Sequence, residues 1–320
     1  MKKTITVLLT LFLQVNISFS QSLEENLQQV GPNYGKLYLQ PLANAMGVNV
    51  NSNFFYTASV PFNSKKPAEF NIGLRLRLMN TFLTSDDQKF NYSYSDTGEV
   101  NGLPVTGTYT VVNAPTVIGN TDEAVAKFTY NGTYYPENDI ELIGGIVKTT
   151  NVPLFIPEIT FGTVYATDAS IILLPTINIH DFGAFRMFGF TLMHNFSHYV
   201  KNSPVDYALM LGYQRMSLTE SDNNDLWKSN SYFINAQLSK SFTKVITGYV
   251  ALQFEQFKAD VSYNYDDNGD DIPITFSIDG DNTFRGVIGG TLRTGIFAFN
   301  LDANIGQQFA LSCAFNFIFM

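Results

Sequence analysis

Six charged residues occupy mid-strand positions, where a soluble sheet would bury aliphatic side chains: Arg75, Arg77, Glu255, Arg285, Arg293 and Asp302. Facing the lumen of a barrel, they would line or plug a path for a small amphipathic molecule, its carboxylate meeting Arg75 or Arg77. Paired with one another, they would close the lumen instead. Other candidates for chemistry have simpler explanations. His194 and His198 stand four apart, a spacing that suits a metal on a helix. They fall at a strand end and in a turn without a third ligand, so packing in the turn accounts for them. Asp266, Asn268 and Asp270 alternate as in a calcium loop, but Asp271 stands where that loop needs glycine and no Glu closes it. A solvated acidic loop is the plainer reading. Ser197 adjoins His198, yet neighbours in a turn point apart and no third triad member is evident. The chain is therefore read as a non-enzyme without a cofactor or metal.

The elements that must hold those charges are strands. In "EFNIGLRLRLMN", Phe70, Ile72, Leu74, Leu76 and Leu78 share one face, opposite Asn71, Gly73, Arg75 and Arg77. In "VDYALMLGYQ", Leu209, Leu211 and Tyr213 oppose Ala208, Met210 and Gln214. In "VITGYVALQFEQF", Ile246, Val250, Leu252 and Phe254 oppose Thr247, Tyr249, Gln253 and Glu255. "TFRGVIGGTLRTG" sets Phe284, Ile288 and Leu292 against Arg285, Thr291 and Arg293. The last two strands run Phe297 to Ile305 and Phe309 to Phe319, one face aromatic or aliphatic and the other small or polar, with Asp302 on the polar side. Further strands are expected near 157–165, 169–179, 183–195 and 229–241. These lengths, roughly nine to fourteen residues, suit tilted membrane strands better than the five or six usual in soluble sheets.

Connections alternate in length. "KSFTK" and "TGIFA" read as tight turns, "TESDNNDLWKSN" and "YDDNGDDIPITFSIDGDN" as longer polar loops on the opposite side. Residues 84–150 read as a large external loop region with one or two strands. No repeat of 20–50 residues is present. Before the strands, "NYGKLYLQPLANAMG" predicts a short helix on each side of Pro41. An irregular link follows, with a short strand at Phe54 to Ser59.

Composition agrees with export and with lipid. Lys2 and Lys3, the apolar run Ile5 to Leu13 and the small-x-small site Ser18-Phe19-Ser20 predict a signal peptide over 1–20, leaving Gln21 as the new N-terminus. The remainder would carry 17 basic and 28 acidic residues, a net charge of −11 that argues against nucleic acid. Cys313, the only cysteine, can form no internal disulfide and reads as a small hydrophobe on the apolar face of the last strand. Charged residues make up 15% of the chain, well below the usual quarter, while Phe numbers 28 and Tyr 17. The apolar faces carry no charge through their centres, as a bilayer requires, and only a closed sheet can span one. The expected fold is all-β: a transmembrane antiparallel β-barrel of roughly 10–14 strands over 69–320. A plug-like or periplasmic segment, short and helical or irregular, would occupy 21–68.

Three segments resemble a known group. "YLQPLANAMGVNVNSNFFYTA", "GFTLMHNFSHYVKNSPVDYALMLGYQ" and "NTFRGVIGG…FNLDANIGQQFALSCAFNF" resemble uncharacterised outer-membrane β-barrel proteins common in Bacteroidota, which look distantly like the FadL-type barrels that admit hydrophobic compounds. His194, Tyr199, Pro204, Val205, Asp206, Gly212 and Tyr213 carry the most specific part. The resemblance implies the cell outer membrane as location, with membrane lipid, lipopolysaccharide and the barrel-assembly machinery as partners. It transfers no catalytic set. Two functions stay open: passive uptake of a small hydrophobic or amphipathic molecule, and a structural or surface-interaction barrel with a closed lumen.

Overall fold

A strand whose side chains alternate between apolar and polar must find two different environments, one on each face. In the computed structural model, which describes residues 26–54, 58, 68–179, 183–219, 225–267 and 270–319, sheet closure supplies both. The described helix α1 spans Pro32–Val50. The strands are β1 (Ala68–Phe82), β2 (Lys89–Val100), β3 (Leu103–Pro115), β4 (Ala124–Tyr130), β5 (Thr133–Tyr134) and β6 (Ile140–Leu142). They continue with β7 (Asn151–Val164), β8 (Thr167–Ile179), β9 (Gly183–Asn195), β10 (Asp206–Thr219) and β11 (Asp225–Ser241). The last five are β12 (Ile246–Asp267), β13 (Asp270–Asp279), β14 (Phe284–Thr294), β15 (Phe297–Ile305) and β16 (Phe309–Phe319).

Ten of these strands form a closed antiparallel barrel. The order runs β11-β10-β9-β8-β7-β1-β16-β15-β14-β12, and pairing of β12 back to β11 completes the ring. Burial alternates residue by residue. On β16, Ala310, Ser312, Ala314, Asn316 and Ile318 are buried, while Phe309, Leu311, Phe315 and Phe319 are exposed. On β1 the exposed residues are Ile72, Leu74, Leu78 and Phe82, and Arg75, Arg77, Met79 and Thr81 are buried. The outer surface is thus an apolar belt and the interior is rich in amides, hydroxyls and charges.

At one end the strands are joined by Tyr165–Ala166, 196–205, 242–245 and 295–296, none longer than ten residues. The opposite end carries a cap. The stretch over 84–150, expected as an external loop region with one or two strands, folds into a small sheet of five strands, β2 to β6. Two Asn-Gly pairs explain it. Asn101 (φ 53°) and Gly102 (φ 79°) turn β2 into β3, and Asn131 (φ 47°) and Gly132 (φ 79°) turn β4 into β5. Both central residues have positive φ, the hairpin turn that best matches the twist of paired strands. A ladder of rings, Tyr92, Tyr94, Tyr109 and Phe128, stacks along one face of this sheet at centroid spacings of 5.5, 5.0 and 4.8 Å.

A second difference concerns "YDDNGDDIPITFSIDGDN". Rather than a loop, it forms a hairpin in which β12 runs on past the barrel and β13 pairs with it from Lys258↔Asp279 to Asp267↔Asp270. The reason is apolar alternation masked by the acidic tip: Phe257, Ala259, Val261 and Tyr263 on β12 join Phe276 and Ile278 on β13 as one buried face. That face covers α1.

The helix itself passes through Pro41 unbroken, where a short helix on each side was expected. The missing backbone hydrogen bond falls where Pro41 and the residues after it are buried or half-buried, while only the first part of the helix, at Pro32, Asn33 and Leu37, is exposed. From Pro41 to Val50 the buried set includes Ala43, Asn44, Ala45, Gly47, Val48, Asn49 and Val50, too many to share one face. Small side chains let it fit: a Cβ on Gly47 would sit 2.9 Å from Phe257 Cγ. Phe54 and Ala58 belong to no strand, and the rest of the short strand expected at Phe54 to Ser59 lies outside the described residues, as does the expected signal peptide.

Gly47→Leu should therefore lower the barrel's unfolding free energy by about 1–3 kcal/mol through overpacking. Gly286→Ala, whose added Cβ meets nothing within 4 Å on the outer face, should change it by less than about 0.5 kcal/mol. Urea titration of the folded barrel in detergent, followed by heat-modifiable migration, measures both.

Candidate functional site

The last four carbonyls of a helix lack partners within it, and burying them inside a barrel demands donors from elsewhere. At the end of α1 all four are met. Gly47 O accepts from Asn51 N and Asn49 O from Ser52 N. Val48 O accepts from Ser52 Oγ (2.6 Å) and Arg285 (3.2 Å), and Val50 O accepts from Gln214 Nε2 (2.7 Å). Cations at this end also face the negative pole of the helix.

The same pattern continues beyond the helix. Gln253 Nε2 donates to Asn51 O (2.9 Å), Arg77 Nη1 to Ser52 O (2.7 Å), and Arg75 Nη1 to Phe54 O. Asn195 Nδ2 donates to Ala58 O (2.6 Å), and Ala58 N donates to Ser239 Oγ (2.9 Å). Side chains answer too: Ser231 Oγ to Asn51 Oδ1 (2.6 Å) and Asn300 Nδ2 to Asn53 Oδ1 (2.8 Å). Donors come from β1, β9, β10, β11, β12, β14 and β15, so residues 48–58 are gripped from all around the wall.

The chain therefore crosses the lumen lengthwise. Its earliest described residues sit in the cap, where Asn26 Nδ2 donates to Glu141 O and Asn26 Oδ1 accepts from Ile143 N. Tyr38 Oη donates to Gly144 O (2.9 Å), and Thr81 Oγ1 donates to Ala45 O near the cap end of β1. Ala58 lies between Asn195 and Ser239, at the end with short turns.

Five of the six charged residues singled out from sequence are buried inside. Arg75, Arg77 and Arg285 are 2%, 0% and 1% exposed, and Glu255 and Asp302 are equally enclosed. Arg293 is set apart: it is half-buried at the short-turn end of β14. Within the lumen Arg77 and Arg285 form ion pairs, and Asp302 is held by neutral donors. Arg285 Nε donates to Glu255 Oε2 (2.8 Å), and Asn282 and Gln253 also donate to that carboxylate. Asp302 accepts from Tyr249 Oη (3.1 Å), Asn304 Nδ2 (2.7 Å) and Ser312 Oγ. Arg77 Nε lies 3.0 Å from Glu158 Oε2, with its guanidinium carbon 3.9 Å from the centre of the Phe54 ring. Glu158 was not among the six, although it falls within the strand expected near 157–165. The alternation of Ile156, Glu158 and Thr160 with Pro157, Ile159 and Phe161 is the signal that finds it. Three arginines and three carboxylates balance, which a low-dielectric interior favours.

The remaining candidates do not converge. Ser197 Oγ donates to Asn195 Oδ1 and Asp206 Oδ1 (2.9 Å), while His194 Nδ1 contacts Thr167 Oγ1 (2.8 Å) and His198 is exposed. Hydroxyl, imidazole and carboxylate thus do not form a relay. Among the described residues no three His, Cys, Asp or Glu side chains gather into a metal-sized cluster. Side chains 264–272 of the acidic tip lie outside the described set.

Residues 1–319 match the model of a family of unknown function, DUF6588. The chain belongs to that family. No curated protein matches its sequence. Solved structures similar to this chain include a loop-deletion mutant of OmpT, an outer membrane protein of Vibrio cholerae, at 8% identity and TM-score 0.28, covering 78% of this chain and 99% of that one. Another is the outer membrane protease OmpT from Escherichia coli, at 9% identity and TM-score 0.28, covering 81% and 97%. OccAB4 of Acinetobacter baumannii gives 9% identity and TM-score 0.24, covering 80% and 99%. The FadL-type likeness expected of this DUF6588 member rests on the sequence segments alone.

Arg285→Ala leaves the Glu255 carboxylate buried without its cation and should cost about 3–5 kcal/mol. Arg285→Met combined with Glu255→Gln removes both charges and should recover at least half of that loss. Denaturant unfolding of the wild type, Arg285→Met, Glu255→Gln and the double variant measures the coupling.

Proposed function

We propose that this protein is an outer-membrane β-barrel closed by its own N-terminal segment, with a structural or surface-interaction role carried by its cap. The observation that carries this reading is the set of wall donors on the carbonyls of Val48, Val50, Asn51, Ser52, Phe54 and Ala58, which places the chain's own segment in the lumen.

Membrane insertion is supported by the outer belt. The outward run from Ile72 to Phe82 spans eleven residues on β1. At about 3.3 Å per residue and a tilt near 45°, this covers about 25 Å, the height of the apolar band of such barrels. Aromatic residues fringe the belt at both edges: Phe82 and Phe309 pair at one, Phe297 and Phe317 at the other. The short-turn end would face the periplasm and the cap the outside. On this reading outer-membrane lipid, lipopolysaccharide and the barrel-assembly machinery are the partners, and the protein is not an enzyme.

Passive uptake of a hydrophobic or amphipathic molecule is the second reading, favoured by the absence of any covalent tie between segment and wall. It requires the segment to withdraw. Arg77 and Arg285 already hold carboxylates of the wall, so a ligand carboxylate would have to displace Glu158 or Glu255.

In planar bilayers the purified protein should give no conductance steps, and deletion of 26–58 should produce them. Large steady conductance from the intact protein would overturn the closed-barrel reading. Faster uptake of a fatty acid than of its methyl ester by cells carrying the intact protein would favour transport.

A further inference from the structure

The outer wall of the barrel is not uniformly studded with large side chains. Near the short-turn end it holds a groove of about 350 Å³, within the usual range of small-molecule sites (roughly 300–1,000 Å³). Its apolar lining comes from Val245, Leu292, Phe297, Phe299, Phe315 and Phe317. One row further along the wall, two outward positions carry no side chain: Gly248 on β12 pairs directly with Gly290 on β14. A Cβ on Gly290 would meet only a backbone oxygen at 3.6 Å, and Gly248 is overlaid by the ring of Phe242.

Two basic groups lie toward the same end of the barrel, Lys240 two strands away from β14 and Lys244 next to Val245. Lys240 pairs with Gly248 across β11 and β12 and is exposed on the outer face. Lys244 is exposed in the turn that ends at Val245, itself a wall of the groove. Among the described residues neither lysine forms an ion pair with a carboxylate. A lysine on a lipid-facing surface reaches the headgroup level by extending its stem, and there it attracts anionic lipid.

We propose that this groove is a binding site for one anionic glycerophospholipid: an acyl chain lies along Leu292, Phe299 and Phe315, and the headgroup phosphate meets Lys240 and Lys244. The inference rests on the membrane reading above. It selects a phospholipid of the leaflet next to the short turns, because both lysines and the groove lie at that end. The apolar side chains named above point outward, whereas Arg293, Ala298 and Asn316, which also line the groove, belong to the inward-facing set, and Asn316 is linked through Asn300 to Asn53.

Native mass spectrometry of the full protein, released from mild detergent after incubation with phosphatidylglycerol or with zwitterionic phosphatidylethanolamine, tests the site. Wild type should retain one phosphatidylglycerol in preference to phosphatidylethanolamine. Lys240→Gln and Lys244→Gln should each reduce that retention about fivefold. Leu292→Trp, which fills the groove, should reduce retention of both lipids, and heat-modifiable migration should show all variants folded. Equal retention of the two lipids, or retention unchanged in the double lysine variant, overturns the proposal while leaving the membrane barrel standing. Recovery of the protein from cells as a detergent-free soluble species removes both.

Discussion

A helix that ends inside a closed barrel has carbonyls with no water to meet, and every one of them must be given a donor. Most of the interior composition follows from that requirement. Gln214, Gln253, Arg75, Arg77, Arg285 and Asn195 point inward from five strands and donate to carbonyls between Val48 and Ala58. The arginines in turn need anions, and Glu158 and Glu255 supply them. Removing a donor would leave a buried carbonyl unpaired, and removing an anion would leave a buried cation; either is costly. Wall and segment therefore hold each other in one arrangement.

Outside the lumen, the same segment organises the cap. Tyr34 packs against Phe90 and Tyr92 at centroid distances of 5.4 and 6.3 Å, and Gly35 lies against Phe276 of the hairpin. The cap sheet and the extended β12–β13 hairpin thus enclose the first half of α1, and the barrel encloses the second. Tyr38 belongs to both zones, its carbonyl accepting from Val117 N and its hydroxyl donating to Gly144 O. The helix shares one buried hydrophobic cluster with both cap and barrel residues.

Much of the barrel was legible in the sequence because period-two alternation is a local property. Leu74 and Arg75, or Val250 and Gln253, declare opposite faces without reference to any partner strand. The hairpin of β12 and β13 was hidden because its acidic tip dominates the composition, although Phe276 and Ile278 keep the alternation going. The cap sheet was hidden for a different reason: its strands range from two to thirteen residues, and the Asn101-Gly102 and Asn131-Gly132 turns were the stronger signal. What the sequence does not carry is the role of main-chain carbonyls as acceptors. No residue type announces that Arg285 will meet Val48 O, or that a helix through Pro41 will stay straight inside a wall.

The central claim is that the segment crosses the lumen and touches the wall where Ser231 meets Asn51. Asn51→Cys with Ser231→Cys, in a Cys313→Ser background, places two thiols where the side chains now lie in contact. A short bifunctional thiol reagent should bridge them in the folded barrel, and Tyr232→Cys, on the outer face beside Ser231, should not react with Asn51→Cys. Equal bridging of both pairs, or bridging of neither, would contradict a lumen filled by the chain's own N-terminal segment.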